Sequence, residues 1–361
     1  MPLSWVELAA SALGRQLPHD PGSVGARVNA VGPMQTQTAR AAFLGLAARF
    51  PGTTRAEVVD AYEAGEVVRG STIRGTVHTA TASQYASLGA ATRAGQRRRW
   101  QQLLGLAEGQ VDDLWTSIEE FAREWRTTDE LRGHLGRWLG EHGPGGEAPL
   151  GPNTPGHYLA FGNGSLVRRP AAGTTWEGQG RPVYRTFDAP EAATVRDAVR
   201  LHLQCHGPAS RHDIAWWSGL PLTVVDAAVD DLGLVGEKGP DGRTYLDVGP
   251  SRPVTDEGVR LLPEFDALLC AYDPKARERF VSPGHHELLW NRGKGLMLSP
   301  LLVDGRITGW WRSAGTARRR PLEVAWFAGT RRPRKAELAE AVAAVEAVLD
   351  ITVTEVDLHR A

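Results

Sequence analysis

Three segments of this chain share one grammar, a Ser or Thr followed three residues later by an acid and then by an apolar-periodic run: those at Thr54…Glu57, Thr127…Glu130 and Ser210…Asp213. Each is the signature of a helix start, with the hydroxyl capping the first turn and the acid reaching back to the cap. The third is the clearest. From Gly207 to Leu232 the sequence predicts a helix, a turn at Ser218-Gly219-Leu220-Pro221 and a second helix, which together make a helix-turn-helix. Leu234–Gly236 and Thr244–Val248 then flank a Gly/Pro/Asp loop and read as a β-hairpin wing.

The first segment repeats the plan, with helices expected near 39–50 and 54–64 and a hairpin around Val67–Ala82 that carries Arg69, Arg74 and His78. The middle one is looser. Helices near 109–126 and 128–142 lead through the Gly/Pro-rich stretch Gly143–Pro155 to Tyr158–Phe161 and a wing at Gly164–Arg169. From Val259 the pattern changes to short apolar runs (Val259–Leu262, Leu296–Val303, Arg306–Trp311, Leu322–Phe327), a helix at Lys335–Leu349 and a strand near Thr352–Val356. The expected architecture is α+β: winged-helix modules over 1–95, 96–187 and 188–255, followed by a mainly β domain resembling a small barrel over 256–361.

Composition narrows the function classes. A chain of 361 residues exceeds one ordinary core. No run of about 18 apolar residues is present to span a bilayer, and Met1–Trp5 opens without a basic region and apolar block, so a cytoplasmic monomer with no membrane contact is expected. Two cysteines, Cys205 and Cys270, are too few for a disulfide scaffold or a cysteine-based zinc site and read as small buried hydrophobes. The net charge of −1 argues against a broadly basic surface. Its distribution says more. Only four of the 41 basic residues are lysine, and the arginines cluster at Arg97-Arg98-Arg99, Arg168-Arg169, Arg318-Arg319-Arg320 and Arg331-Arg332, a composition suited to bidentate phosphate contact.

A helix-turn-helix with a wing first suggests a transcription regulator, whose second helix would present Arg, Lys, Asn or Gln to base edges. The helix in that position, Thr223–Leu232, is acidic and apolar, and Thr54–Ala64 is little better. Sequence-specific readout is therefore not expected. Wings and arginine loops can still hold phosphates in a sequence-independent way, as an enzyme searching DNA requires. Upstream of the first helix pair stands Gln35-Thr36-Gln37. In an extended segment side chains two apart share a face, so the two amides can converge on one water. Alone, Gln-x-Gln reads equally as capping or surface hydrogen bonding.

Gln35-Thr36-Gln37 with its Ala-rich helix, Arg74-Gly75-Thr76-Val77-His78, Leu261-Leu262-Pro263-Glu264-Phe265-Asp266 and Val303–Arg312 occur in an order that resembles the AlkZ/YcaQ-type winged-helix DNA glycosylases over about residues 22–350. The resemblance implies three tandem winged helices plus a β-barrel around a DNA channel. It also implies excision of N7-alkylated purines, including bulky natural-product adducts and interstrand crosslinks, in alkylation repair or antibiotic self-resistance. Gln35 and Gln37 match the family's catalytic Gln-x-Gln; Thr36 departs from the aliphatic residue usual between them. The partner expected is double-stranded DNA containing an alkylated purine, contacted by Arg74, His78, Arg97, Arg98, Arg99, Arg168 and Arg312, with no cofactor and no metal. The alternative is a non-enzymatic winged-helix regulator or damage-binding protein, whose mark would be a basic reading helix.

The chemistry stands on its own. An N7-alkylated guanine is already a cationic leaving group, so the site needs to place a water and stabilise an oxocarbenium-like sugar, which two amide carbonyls can do by position and charge distribution. The first lysine is Lys238, so no amine near Gln35 is evident for a Schiff base and a monofunctional enzyme is expected. His285-His286-Glu287 lacks helical metal-ligand spacing, and the sequence contains neither a Gly-x-Ser-x-Gly elbow nor a P-loop. Trp310 and Trp311, adjacent on one short strand, must send one ring to each face.

Overall fold

A computed structural model describes all residues except 1, 145–149, 152–153, 155, 179, 250–251, 255–257, 292–294, 314 and 316. Most of Gly143–Pro155, the boundary at 255–256 and Lys294 therefore lie outside the described residues. The chain begins with α1 (Trp5–Gln16), α2 (Val24–Val31), the short strand β1 (Met34–Gln35), α3 (Ala41–Arg49), α4 (Arg55–Glu63), β2 (Val68–Ser71), β3 (Val77–Ala80) and α5 (Ala82–Leu104). Then come α6 (Glu108–Phe121), β4 (Arg126–Thr127), α7 (Thr128–His142), β5 (Leu166–Pro170) and β6 (Pro182–Thr186). The next segment holds α8 (Val195–His206), β7 (Ala209–Ser210), α9 (Arg211–Ser218), α10 (Leu222–Asp231), β8 (Gly236–Lys238) and β9 (Thr244–Leu246). The last comprises β10 (Val259–Leu261), α11 (Ala267–Cys270), α12 (Pro283–Leu289), β11 (Trp290–Asn291), β12 (Leu296–Met297), β13 (Ser299–Val303), β14 (Arg306–Ser313), β15 (Arg319–Trp326), α13 (Lys335–Leu349) and β16 (Thr352–Arg360).

All three anticipated capping boxes form, at Thr54/Glu57, Thr127/Glu130 and Ser210/Asp213. Gly219 ends α9 in the left-handed region at φ 74°, which lets α10 start three residues later. Helices α1, α2, α5 and α8 lie outside the sequence expectations. In α5, Ala, Gly and Ser fill much of the buried face, so its 23 residues carry little apolar periodicity.

The strands of the first two segments do not stay in separate wings. They join in one six-stranded sheet, ordered β1-β3-β2-β5-β6-β4. Gly70 makes the join: it pairs with Val167 of β5, and a Cβ there would lie 2.0 Å from the Tyr85 hydroxyl. The expected small barrel is an open five-stranded sheet, β10-β13-β14-β15-β16, antiparallel except for β15 and β16, which α13 connects in parallel. A closed barrel would need β10 and β16 to pair, and here they form opposite edges. Trp311 is buried and donates from Nε1 to Leu262 O at 2.8 Å while Trp310 is half-buried, the alternation anticipated for adjacent strand residues.

Cores cross the segment boundaries. One joins α2, α3 and α4 to the C-terminal sheet and α13, through Phe43, Leu46, Leu301, Trp311 and Val345 among others. Another joins Ala12 and Leu13 of α1, Ile73 of the β2–β3 turn, α8, α9 and the segment 262–281. Helices α6 and α7 have a core of their own around Trp100 and Trp115, whose rings meet edge to face 5.6 Å apart. The first segment is thus wedged between the third and the last, and β1 lies in that wedge.

Candidate active site

Gly32 opens the segment that carries the two glutamines. Its φ of 91° is closed to most side chains, and a Cβ would sit 2.7 Å from Cys205 Cβ, so glycine is required for the chain to pass α8 and enter β1. Strand β1 pairs antiparallel with β3, Gln35 opposite His78, and Thr36 N–H continues the ladder to Val77 O at 2.7 Å. Strand β1 ends at Gln35 and Gln37 stands in the bend that follows; Thr36 is buried, Gln35 half-buried and Gln37 exposed.

Thr36 is fully buried and doubly clamped. Its carbonyl accepts from Arg69 Nη2 at 2.7 Å, and its hydroxyl accepts from Thr79 Oγ1 at 3.3 Å, which in turn shares a 2.6 Å bond with Tyr62 Oη. A threonine at this position is tolerated because hydroxyls on β3 and α4 satisfy it. Burial, reinforced by Arg168, lowers the Arg69 guanidinium to a pKa of about 10.

The two glutamines differ. Gln35 is half-buried, and its Oε1 accepts a charge-assisted bond from Arg74 Nη2 at 2.9 Å. Gln37 is exposed, and its Oε1 accepts from Val77 N–H at 3.3 Å. Beside Gln35 a cleft of about 20 Å³, bordered by Met34, Gly45, Pro263, Phe265 and Ala267, has room for one water. The Leu262–Asp266 segment forms its far wall. Asp266 makes a bidentate pair with Arg49 at 2.9 and 3.0 Å, both side chains buried, and Gln16 Oε1 accepts from the same guanidinium at 2.9 Å. Glu264 pairs with Arg40 at 2.6 Å.

Of the residues expected to contact DNA, Arg74 and His78 are corrected by the structure. Arg74 occupies the β2–β3 turn at φ 56°, half-buried, and besides Gln35 its guanidinium donates to the carbonyls of Trp216 and Trp217 at the end of α9. The hairpin tip is thus docked on the third segment. Burial lowers the pKa of Arg74. His78 is buried and bonded through Nδ1 to Thr72 Oγ1 at 2.8 Å; burial, then the charge of Arg74, depresses it to about 3, so it is neutral at physiological pH. Both residues are engaged within the protein, Arg74 by Gln35 and the end of α9 and His78 by Thr72.

Arg97 forms a two-bond pair with Asp112 at 2.6 and 2.9 Å and lies over the Trp115 ring. Arg98 and Arg99 are exposed on α5; Arg99 follows Gln96, which neighbours Gly75 of the docked tip, by three residues and so shares its face. Arg168 is half-buried over Tyr184, and Arg312 is exposed and paired with Glu323. Sequence reading missed Arg69, Arg49, Gln16, Arg40 and Asp266 as site residues, since nothing local marks a distant arginine as a clamp on Thr36. The Leu261–Asp266 stretch was the one signal that pointed there. Among the described residues no cluster of His, Cys, Asp and Glu could hold a metal ion, and His285 and His286 are engaged by Phe327 and Arg277.

The scaffold is α+β, with Gln35 beside a water-sized cleft and Gln37 exposed two residues further on. The chain belongs to the AlkZ-like DNA glycosylase family, whose model matches residues 28–348, and it is accordingly a DNA glycosylase. Its fold is similar to that of the Streptomyces sahachiroi DNA glycosylase AlkZ, with a TM-score of 0.80 at 20% identity over 99% of this chain and 100% of that one. No curated protein matches the sequence. Family membership decides against the non-enzymatic regulator. Among the described residues no helix is long and apolar enough to cross a membrane.

Proposed function

We propose that this DNA glycosylase hydrolyses the N-glycosidic bond of cationic N7-alkylguanine in duplex DNA and leaves an abasic site, with Gln35 and Gln37 as its catalytic pair. The observation that supports the reading is the clamp on Thr36, which fixes the segment carrying both glutamines, with Gln35 bordering a one-water cleft. A carbonyl oxygen has two lone pairs, so Gln35 can accept from Arg74 and from a water together. The positive charge of Arg74 withdraws density from that carbonyl, which makes Gln35 the anchor of the water. Gln37, free of any cation, offers its carbonyl dipole to the developing sugar cation. Neutral amides are weak bases and weak acids, and undamaged purines, whose departure needs protonation, are left alone.

The exposed setting of Gln37 suits bulky adducts and crosslinks, which need open space around the sugar. We read 1–95, 96–187 and 188–255 as modified winged helices and 256–361 as the half-barrel domain that completes the channel, in a cytoplasmic monomer. The acidic second helix α10 and the docked β2–β3 tip fit a non-specific grip, for which Arg98, Arg99, Arg168 and Arg312 remain the proposed contacts. Arg74 and His78 become positioning residues. Lys238, the first lysine, is engaged with Gly242 O in the β8–β9 hairpin, which favours water over an amine as the nucleophile and an intact abasic strand as the product. The test is a duplex with a single N7-methylguanine, incubated with the protein and then treated with alkali. Strand scission only after alkali supports the reading, and intact DNA refutes it.

A further inference from the structure

A second cleft, of about 730 Å³, opens immediately beyond Gln37, at Thr38 and Arg40. Its charged walls are Arg40, Arg55, Arg318 and Arg320 against Glu177 and Asp350. The ion pairs account for all but one of the cations. Arg55 is 2.7 Å from Glu177, Arg318 pairs with Asp350, and Arg40 pairs with Glu264 behind the cleft wall. Arg320 pairs with no carboxylate among the described residues; its Nη1 donates to Gly315 O at 3.0 Å, and its buried Nε finds no acceptor. The buried Nε of Arg40 likewise lacks one.

Arg40 and Arg320 border the same cleft, and burial, with the charge of Arg40 next, depresses the pKa of Arg320. Arg40 already holds Glu264, so Arg320, partly withdrawn from water with its Nε unsatisfied, is the cation that an anion in the cleft would neutralise. Helix α3 starts at Arg40 without a side-chain cap, so the positive end of its dipole adds to the same field. A guanidinium fork matches two oxygens of a phosphate.

We propose that Arg40 and Arg320 form a phosphate subsite that grips the DNA backbone beside the nucleotide being excised. Three residues of chain separate Gln37 from Arg40, a span of at most about 10 Å. The phosphate held there lies within a nucleotide or two of the reacting sugar. The subsite fixes the register of the strand against the glutamines. It rests on DNA being the substrate and is independent of which adduct is removed.

The experiment replaces single phosphates within three nucleotides of an N7-methylguanine by neutral methylphosphonates. With the wild type, one or two positions are expected to slow single-turnover excision about tenfold; Arg320→Ala should be slowed similarly on the all-phosphate duplex and lose its sensitivity at those positions. Binding of undamaged duplex by Arg320→Ala should lower the slope of log K against log salt by about 0.9 for the one phosphate released. Arg320→Lys, which keeps the charge without the fork, should fall between, and a wild-type urea midpoint for both variants shows that the fold is kept. An unchanged methylphosphonate pattern in Arg320→Ala, or an unchanged salt slope, overturns the proposal. Stabilisation of the wild type by inorganic phosphate, lost in Arg320→Ala with the methylphosphonate pattern unaltered, assigns the site to a free anion and overturns it equally. A wild type that binds undamaged DNA with the expected slope change but excises nothing refutes the substrate reading alone.

Discussion

Replacing Gln37 by Ala should abolish most excision while leaving the fold intact, and Gln35→Ala should damage both. The difference follows from their partners. Gln37 is exposed and makes one 3.3 Å bond with Val77 N–H, so its removal costs at most about 1 kcal/mol of stability. If its amide acts on charge that develops only in the transition state, the rate falls roughly 10²- to 10³-fold, about 2.7–4 kcal/mol. Gln35→Ala takes the acceptor from Arg74 Nη2, and a charged donor left unpaired in a buried setting costs roughly 1–3 kcal/mol. The same loss of rate is then accompanied by a lower urea midpoint. Because the water held by Gln35 and the charge faced by Gln37 belong to one transition state, the double variant should lose less than the product of the two effects. Gln37→Glu should keep partial activity, since a carboxylate can orient the same water and face the same cation. The assay is single-turnover excision from an N7-methylguanine duplex read by alkaline scission, run beside urea unfolding. Wild-type rates in both alanine variants refute the proposed site, and an unchanged midpoint in Gln35→Ala refutes its anchoring by Arg74.

Gly32→Ala introduces a Cβ 2.7 Å from Cys205 at a φ of 91°, so unfolding should be easier by roughly 1–3 kcal/mol and excision should fall because β1 shifts; an unchanged urea midpoint contradicts the packing described. Thr36→Val, by contrast, should leave excision unchanged and cost at most about 1.5 kcal/mol, because Thr79 retains its bond to Tyr62; a large loss of activity would show that the hydroxyl acts on the catalytic face. The buried histidines make stability depend on pH. Burial above all depresses His78 to about 3 and His202 to about 4, both below the usual 6.5 or so, so the stability they contribute is complete above that value and is lost as pH falls toward their folded pKa values. The urea midpoint should therefore be flat above pH 7 and decline from about pH 6.5 to 4, less steeply in His202→Gln; a midpoint that is level across this range rules the coupling out.

Local chemistry was legible in the sequence. Capping boxes at Thr54, Thr127 and Ser210, the α9–Gly219–α10 turn, α13 at Lys335–Leu349 and the alternation at Trp310 and Trp311 all follow from interactions within a few residues, and these the chain specifies by itself. The motif alone picks out Gln35 and Gln37; Gln35 ends a strand and Gln37 stands in the bend after it. Which residues surround them is a different matter. Arg74 looked like a wing arginine because exposure is decided by what packs on a hairpin tip, and here that is α9, more than 130 residues away along the chain. Arg69, Arg49, Asp266 and the pair Arg40 and Arg320 gain their roles from contacts between segments that meet only when the shared cores close. The same holds for the sheet that merges two expected wings through Gly70, and for the C-terminal strands that stay open where a barrel was expected. Short-range hydrogen bonding chose the elements; long-range packing chose which cations turn inward and which stay at the surface.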